Sequence, residues 1–118
     1  MSVSFGSYIR RCREARLKSD RTFSVRKVAA ALGVQPSYVS KVELGQVGPP
    51  SEDTTRRLAG ILGEDPDVLL AMAGKVSSDL QEVIRKRPRL FADLIRQLKD
   101  APDHAVLRVV REVRDGSW

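Results

Sequence analysis

The most constraining feature of this sequence is the stretch KVAAALGVQPSYVSKVELG, which runs from Lys27 to Gly45. Two short runs with apolar residues at helical spacing flank Gly33, which stands where a helix commonly ends in a left-handed residue. Pro36 falls in the first turn of the second run, where its missing N–H costs nothing. The stretch therefore predicts two short helices joined by a tight turn. It leaves open whether both helices are buried or one is presented to a partner.

The helical period extends through most of the remaining chain. The segment SFGSYIRRCREARL predicts an amphipathic first helix that ends near Leu17 and has an apolar stripe reaching Ala15 or Arg16. Ser51 and Asp65 are suitable N-cap residues for two further helices. Because no alternating apolar and polar run predicts a strand, the expected fold class is all-α.

Length and residue counts restrict the classes of function. A chain of 118 residues with 42% hydrophobic content favours one compact domain with an appendage. One cysteine, Cys12, and one histidine, His104, cannot form an internal disulfide or supply the usual zinc ligands. No catalytic triad or phosphate-binding glycine loop is present, so neither an enzyme nor a cofactor is expected. The absence of a membrane-length apolar run or a secretory signal favours the cytoplasm.

Charge is distributed unevenly along the chain. Residues 1 to 41 contain nine Lys or Arg against two acids, whereas residues 42 to 67 contain six acids against two arginines. Such a distribution suits a basic face that meets a polyanion, and a milder version serves solubility alone.

The second helix of the opening stretch offers a polar outer face. Val39 and Val42 share one side of it, which a small helical core would cover. Small polar groups with one lysine can enter the DNA major groove, and amide and lysine groups can bond to base edges there. The predicted base contacts are Gln35, Pro36, Ser37, Ser40 and Lys41. The predicted contacts to DNA phosphates, which position rather than specify, are Ser24, Arg26, Lys27, Tyr38 and Gln46. Partial burial of the ring is an equal alternative for Tyr38.

The apolar pattern resembles the helix-turn-helix signature of the lambda-repressor-like, Xre-type family. The resemblance rests on Val25, Val28, Ala29, Leu32, Gly33, Val34, Val39 and Val42. The downstream segments PSYVSKVELG, PPS and RRLAGILGEDPDVLLAMAG are similar to later helices of that family, so that five helices occur in its order. The resemblance implies a DNA-binding domain over residues 1–74, followed by a helical extension over residues 75–118.

The resemblance also implies a structural ion pair and marks two departures. Arg13 and Glu43 occupy the positions of the family's paired arginine and glutamate. The segment EARLKSDRTFS is longer than the usual first turn, so it either contacts flanking DNA through Lys18 and Arg21 or is mobile. Leu44 stands where the family often has a polar residue, which puts a backbone contact from that position in doubt.

The extension contains three apolar stripes, and the broadest predicts a dimer interface. The residues of this broadest stripe are Leu90, Phe91, Leu94, Ile95 and Leu98. The alternative is that the extension only completes the core of the monomer. A two-fold homodimer would bind a near-palindromic site on double-stranded DNA with half-sites about 10 base pairs or a multiple apart. The predicted function is a sequence-specific transcriptional regulator, most simply a repressor. The alternative is an antitoxin-like module that neutralises a partner protein such as a toxin. Some regulators of the family that the sequence resembles are encoded beside a metallopeptidase, which cleaves the dimerising tail to relieve repression. The resemblance therefore implies the KDAP and KRP junctions as cleavage sites in the extension.

Overall fold

The structure, a computed structural model, describes residues 4–118. Between these bounds the chain is helical and contains no strand, which confirms the predicted all-α class. A short 3-10 helix, Arg21–Phe23, separates the first two of eight α-helices in this described part. The α-helices are α1 Phe5–Leu17, α2 Val25–Leu32, α3 Pro36–Glu43, α4 Glu52–Leu62, α5 Pro66–Met72, α6 Ser78–Lys86, α7 Pro88–Leu98 and α8 Asp103–Asp115.

Local capping chemistry sets the ends of these helices. The Ser24 hydroxyl accepts a hydrogen bond from the Lys27 backbone N–H at 3.2 Å, and Ser51 caps α4 in the same way. The turn between α2 and α3 depends on Gly33, which has a φ of 72°. At this left-handed conformation a side chain would be strained, whereas glycine adopts it freely. The sequence of α2, Gly33 and α3 therefore forms a helix-turn-helix.

One core lies among the first five helices. Its buried residues are Phe5, Ile9, Val28, Leu32, Val42, Leu58, Ala59, Leu62 and Leu69. The predicted stripe on α1 was wrong at its C-terminal end, because Ala15 and Arg16 are exposed. The buried face instead passes from Ile9 to Arg13, which is 7% exposed. Arg13 can be buried there because its guanidinium has hydrogen-bond partners.

The helix α1 packs closely against the C-terminal end of α3. A Cβ atom added at Gly6 would collide with the carbonyl oxygen of Val42 and lie 2.7 Å from that of Glu43. These backbone oxygens cannot move as a flexible side chain would. The absence of a side chain at Gly6 therefore allows the approach that holds α3 in place.

The long segment between α1 and α2 forms a hydrogen-bonded turn, the α1–α2 turn. Asp20 accepts hydrogen bonds from the backbone N–H of Thr22 at 2.9 Å and from its hydroxyl at 2.6 Å. These two bonds lower the pKa of the Asp20 carboxyl. The Arg16 guanidinium lies 5.4 Å from the centre of the Phe23 ring, within range of a cation–π contact. The inserted residues thus have a defined place beside the start of α2.

The chain divides into two compact units, with the division after Ser77. The second unit, Ser78–Trp118, contains α6, α7 and α8. Each of these helices has apolar residues along one face, yet none of their residues, all of which the structure describes, is buried. Among the described helices, none combines the length and apolar character that crossing a bilayer requires.

Candidate nucleic-acid interface

The helix α3 has one buried side and one side open to solvent. Val39 and Val42 are 5% and 4% exposed, whereas Ser37 and Lys41 are exposed. Ser40 is half-buried on the border between the two sides. The outward stripe therefore consists of two small hydroxyls and one lysine, and it is narrow enough to enter a groove about 12 Å wide.

The leading end of α3 adds an amide group to this surface. Gln35 precedes the helix with extended backbone angles, and its side chain makes no capping hydrogen bond. Pro36 occupies the first helical position and is half-buried. The Gln35 amide is exposed and can donate and accept hydrogen bonds with a molecule outside the protein.

Basic side chains surround the start of α2, next to α3 in the helix-turn-helix. Arg26 and Lys27 are exposed, and they line a surface groove together with Ser24, Arg21 and Leu17. The Ser24 hydroxyl oxygen already accepts the capping bond, but its hydrogen can still be donated. The sequence predicts Arg21 as a contact to flanking DNA, and the α1–α2 turn places it in this groove.

The two remaining predicted phosphate contacts have different surroundings. Tyr38 is half-buried and packs against the core, which corresponds to the alternative that the sequence left open. Gln46 is exposed, and its backbone N–H donates to the Lys41 carbonyl oxygen at 2.8 Å. The backbone hydrogen bond from Gln46 helps to end α3, and the Gln46 side chain remains at the surface.

A buried ion pair supports α3 from behind. Arg13 Nε donates to Glu43 Oε2 at 2.6 Å, and Nη2 donates to Oε1 at 3.0 Å. Arg13 Nη1 also donates to the Phe23 carbonyl oxygen at 3.1 Å. The hydrogen bonds to Glu43 raise the pKa of Arg13, so the guanidinium stays charged. One side chain thus joins α1, the α1–α2 turn and the end of α3.

A second polar cluster, which the sequence did not indicate, holds α1 against the segment after α4. The Tyr8 hydroxyl donates to Glu64 Oε2 at 3.0 Å, and Cys12 Sγ lies 3.3 Å from Oε1. The hydrogen bond to Glu64 raises the pKa of Tyr8 to about 12. Burial, followed by the interaction with Glu64, raises the pKa of the Cys12 thiol. Because 52 positions separate Cys12 from Glu64, no local pattern could have paired them.

Elsewhere in the described chain, the predicted dimer residues lie on one side of α7. Leu90, Leu94 and Ile95 are 68%, 40% and 58% exposed. Phe91 and Leu98 are half-buried. Across residues 4–118, no group of three or more His, Cys, Asp or Glu side chains is arranged to hold a metal ion.

A family profile described as a helix-turn-helix domain matches residues 4–72. The chain belongs to the helix-turn-helix family. This family lies within the lambda-repressor-like group, which confirms the resemblance seen in the sequence. The matched residues include α1 to α5 and therefore contain every predicted DNA contact.

One similar protein comes from Bacillus subtilis (strain 168) and is described as the uncharacterized HTH-type transcriptional regulator RghRB. It is 30% identical over 79 residues, which cover 67% of this chain and 53% of that protein. The chain thus spans about half the length of the curated relative that it matches. No solved structure matches the chain.

Proposed function

We propose that this protein is a sequence-specific double-stranded DNA-binding transcriptional regulator that acts in the cytoplasm as a dimeric repressor. The observation that carries the proposal is the outward face of α3 in a helix-turn-helix domain. Ser37 and Lys41 project from that face, while Val39 and Val42 anchor the opposite side in the core. A helix held in this way can enter the major groove without losing its packing.

Base reading is assigned to the leading end and outer side of α3. The Gln35 amide can bond simultaneously to the N6 and N7 positions of adenine, and Lys41 can donate to the O6 and N7 of guanine. Ser37 and Ser40 can donate or accept at either kind of base pair. Pro36, in the first turn between Gln35 and Ser37, can make a van der Waals contact to a base edge.

Phosphate binding is assigned to the basic groove at the start of α2. Arg26 and Lys27 are exposed cations, and Ser24 lines the same groove. Gln46 would reach a phosphate at the other end of α3, and Tyr38 would do so through its hydroxyl. Contacts of this kind fix the orientation of α3 and contribute sequence-independent, salt-dependent affinity.

Substitutions separate the two kinds of contact. The operator is first selected from random-sequence duplexes with the wild-type protein. Lys41→Ala and Gln35→Ala should each weaken operator binding by about 1 to 3 kcal/mol and relax preference at particular base pairs. Lys27→Ala should instead weaken binding to operator and random DNA alike and reduce the salt slope by about one. An equal loss on operator and random DNA for Lys41→Ala would reject its role as a reader.

Dimerisation is assigned to the second unit, because a single helix-turn-helix reads only a few base pairs. The apolar side of α7 is exposed in the single chain, with Leu90 68% and Ile95 58% open to solvent. A contiguous exposed apolar stripe of this kind is typical of an interface. Pairing of α7 with its own copy would bury the stripe in an isologous contact.

Aspartate substitutions test the dimer in the full-length chain. Phe91→Asp with Leu94→Asp should convert the protein to a monomer in light scattering and weaken operator binding. Ala92→Asp with Arg96→Gln makes the same change in net charge at exposed positions on the opposite side of α7, and it should leave the dimer intact. A wild-type monomer at the concentration where it binds DNA would disprove this proposal.

The exposed stripes also support a second candidate, an antitoxin-like module that covers a partner protein. Co-purification with the product of a neighbouring gene, without DNA affinity, would favour that candidate.

Under the repressor proposal, a metallopeptidase could relieve repression by cutting between helices of the second unit. The KRP segment joins the end of α6 to the start of α7, the KDAP segment lies between α7 and α8, and Arg87 and Asp100 in them are exposed. Incubation with the neighbouring peptidase should then release a fragment beginning within one of these junctions.

A further inference from the structure

An apolar side chain extends the polar outward face of α3. Leu44 follows the last residue of α3 but keeps helical backbone angles, with φ −83° and ψ −4°. Its backbone N–H donates to the Ser40 carbonyl oxygen at 3.0 Å, which is the hydrogen bond of a continuing helix. Ser37, Lys41 and Leu44 are spaced four and three residues apart, so they form one stripe. Leu44 thus lies on the face assigned to DNA.

Leu44 differs in its burial from the valines of α3. It is 58% exposed, whereas Val39 and Val42 belong to the buried side. The helix ends through hydrogen bonds from Gly45 to Val42 and from Gln46 to Lys41. In this type of helix end, the two side chains that can pack against each other belong to the residues joined by the outer of these two hydrogen bonds. These are the polar Lys41 and Gln46, so this helix end has no apolar pair across its hydrogen bonds.

A single exposed leucine is common on protein surfaces and carries no meaning alone. The position of Leu44 gives it a meaning, because it lies on the helix face to which base contacts are assigned. Most groups that the major groove presents to this face are hydrogen-bond donors or acceptors. The C5-methyl group of thymine is the apolar group that a base pair presents in the major groove. We infer that Leu44 contacts the C5-methyl group of a thymine in the operator and so selects an A·T pair. This inference rests on the proposed DNA-binding function.

Replacement of thymine by deoxyuridine tests the contact, because deoxyuridine lacks only this methyl group. Each thymine of the selected operator is replaced in turn, and affinity is measured with the full-length protein. For wild type, one replacement in each half-site should weaken binding by about fourfold, the effect of one methyl-sized group leaving an apolar contact. Leu44→Ala should bind the unmodified operator more weakly and should no longer distinguish thymine from deoxyuridine at that position. Leu44→Met, which keeps an apolar chain, should retain the distinction.

Val68→Ala is a matched control, because Val68 is 49% exposed on α5 and is not part of the α3 face. It should leave every deoxyuridine effect unchanged. The inference is wrong if Leu44→Ala keeps all deoxyuridine effects of wild type, whether its affinity is unchanged or falls equally on operator and random DNA. In either case operator selection by wild type would stand, and so would the proposed function. If wild type selects no sequence, both the inference and the proposed function fail.

Discussion

Breaking the buried ion pair between α1 and α3 should destabilise the helix-turn-helix domain far more than breaking an exposed pair within α1. The side chains of Arg13 and Glu43 are 8% and 6% exposed and are joined by two hydrogen bonds of 2.6 and 3.0 Å. Glu43→Leu would leave the guanidinium buried, with its hydrogen bond to the Phe23 carbonyl oxygen but without the carboxylate. Arg13→Met would leave a buried carboxylate without its two donors.

The magnitude follows from the cost of a buried charge without its partner. Removing one member of such a pair costs about 3 to 5 kcal/mol, whereas replacing both members by apolar side chains is often close to neutral. In a domain of this size, each kcal/mol lowers the melting temperature by about 4 to 8 °C. Either single substitution should therefore lower it by roughly 12 °C or more, and the double variant should recover most of the loss.

The measurement is a double-mutant cycle on urea unfolding at one fixed protein concentration. Arg10 and Glu14 supply a matched control, because they form a 2.7 Å pair on α1 with side chains 50% and 51% exposed. Arg10→Met and Glu14→Leu should show a coupling energy below about 1 kcal/mol. A coupling energy below about 0.5 kcal/mol for Arg13 and Glu43 would show that their costs simply add. The buried pair would then not be what holds α3 in place.

Three further predictions concern glycines and a tyrosine. In calorimetry, Gly6→Ala should lower the free energy of unfolding by about 1 to 3 kcal/mol, because the carbonyl groups of α3 block a side chain. Gly60→Ala, which has open space on α4, should raise it by about 0.5 to 1 kcal/mol. Equal effects of the two substitutions would contradict the close approach of α1 to α3. Gly33→Val should lower the melting temperature at its φ of 72°, and Ser37→Ala should barely change it; the reverse order would mean that α3 faces the other way. The raised pKa of Tyr8 means that its stabilising contribution is complete below pH 10 and is lost as the pH rises towards 12. Between pH 10 and 12, the free energy of unfolding in urea should therefore fall less for Tyr8→Phe than for wild type. Parallel plots of this free energy against pH would show that Tyr8 does not cause the loss of stability.

Much of the fold follows from local sequence chemistry. Ser24 and Ser51 cap helices because their hydroxyls lie one turn before unsatisfied N–H groups, and Gly33 ends α2 because it tolerates a positive φ. Such features act within about five residues of chain, so the sequence alone predicts them. The polar outward side of α3 was predictable for the same reason, because the period of 3.6 residues separates Ser37 from Val39.

Contacts between distant parts of the chain were decided only in three dimensions. The sequence could not show that Gly6 meets the α3 carbonyls, or that Tyr8 bonds to Glu64, 56 positions away. The predicted stripe on α1 was wrong at Ala15 and Arg16 for this reason, since helical spacing uses only α1 itself, whereas the burial of Arg13 depends on Glu43 in another helix. Helix formation depends on neighbours in sequence, whereas the burial of a polar group depends on which donor or acceptor the packed fold brings within about 3 Å.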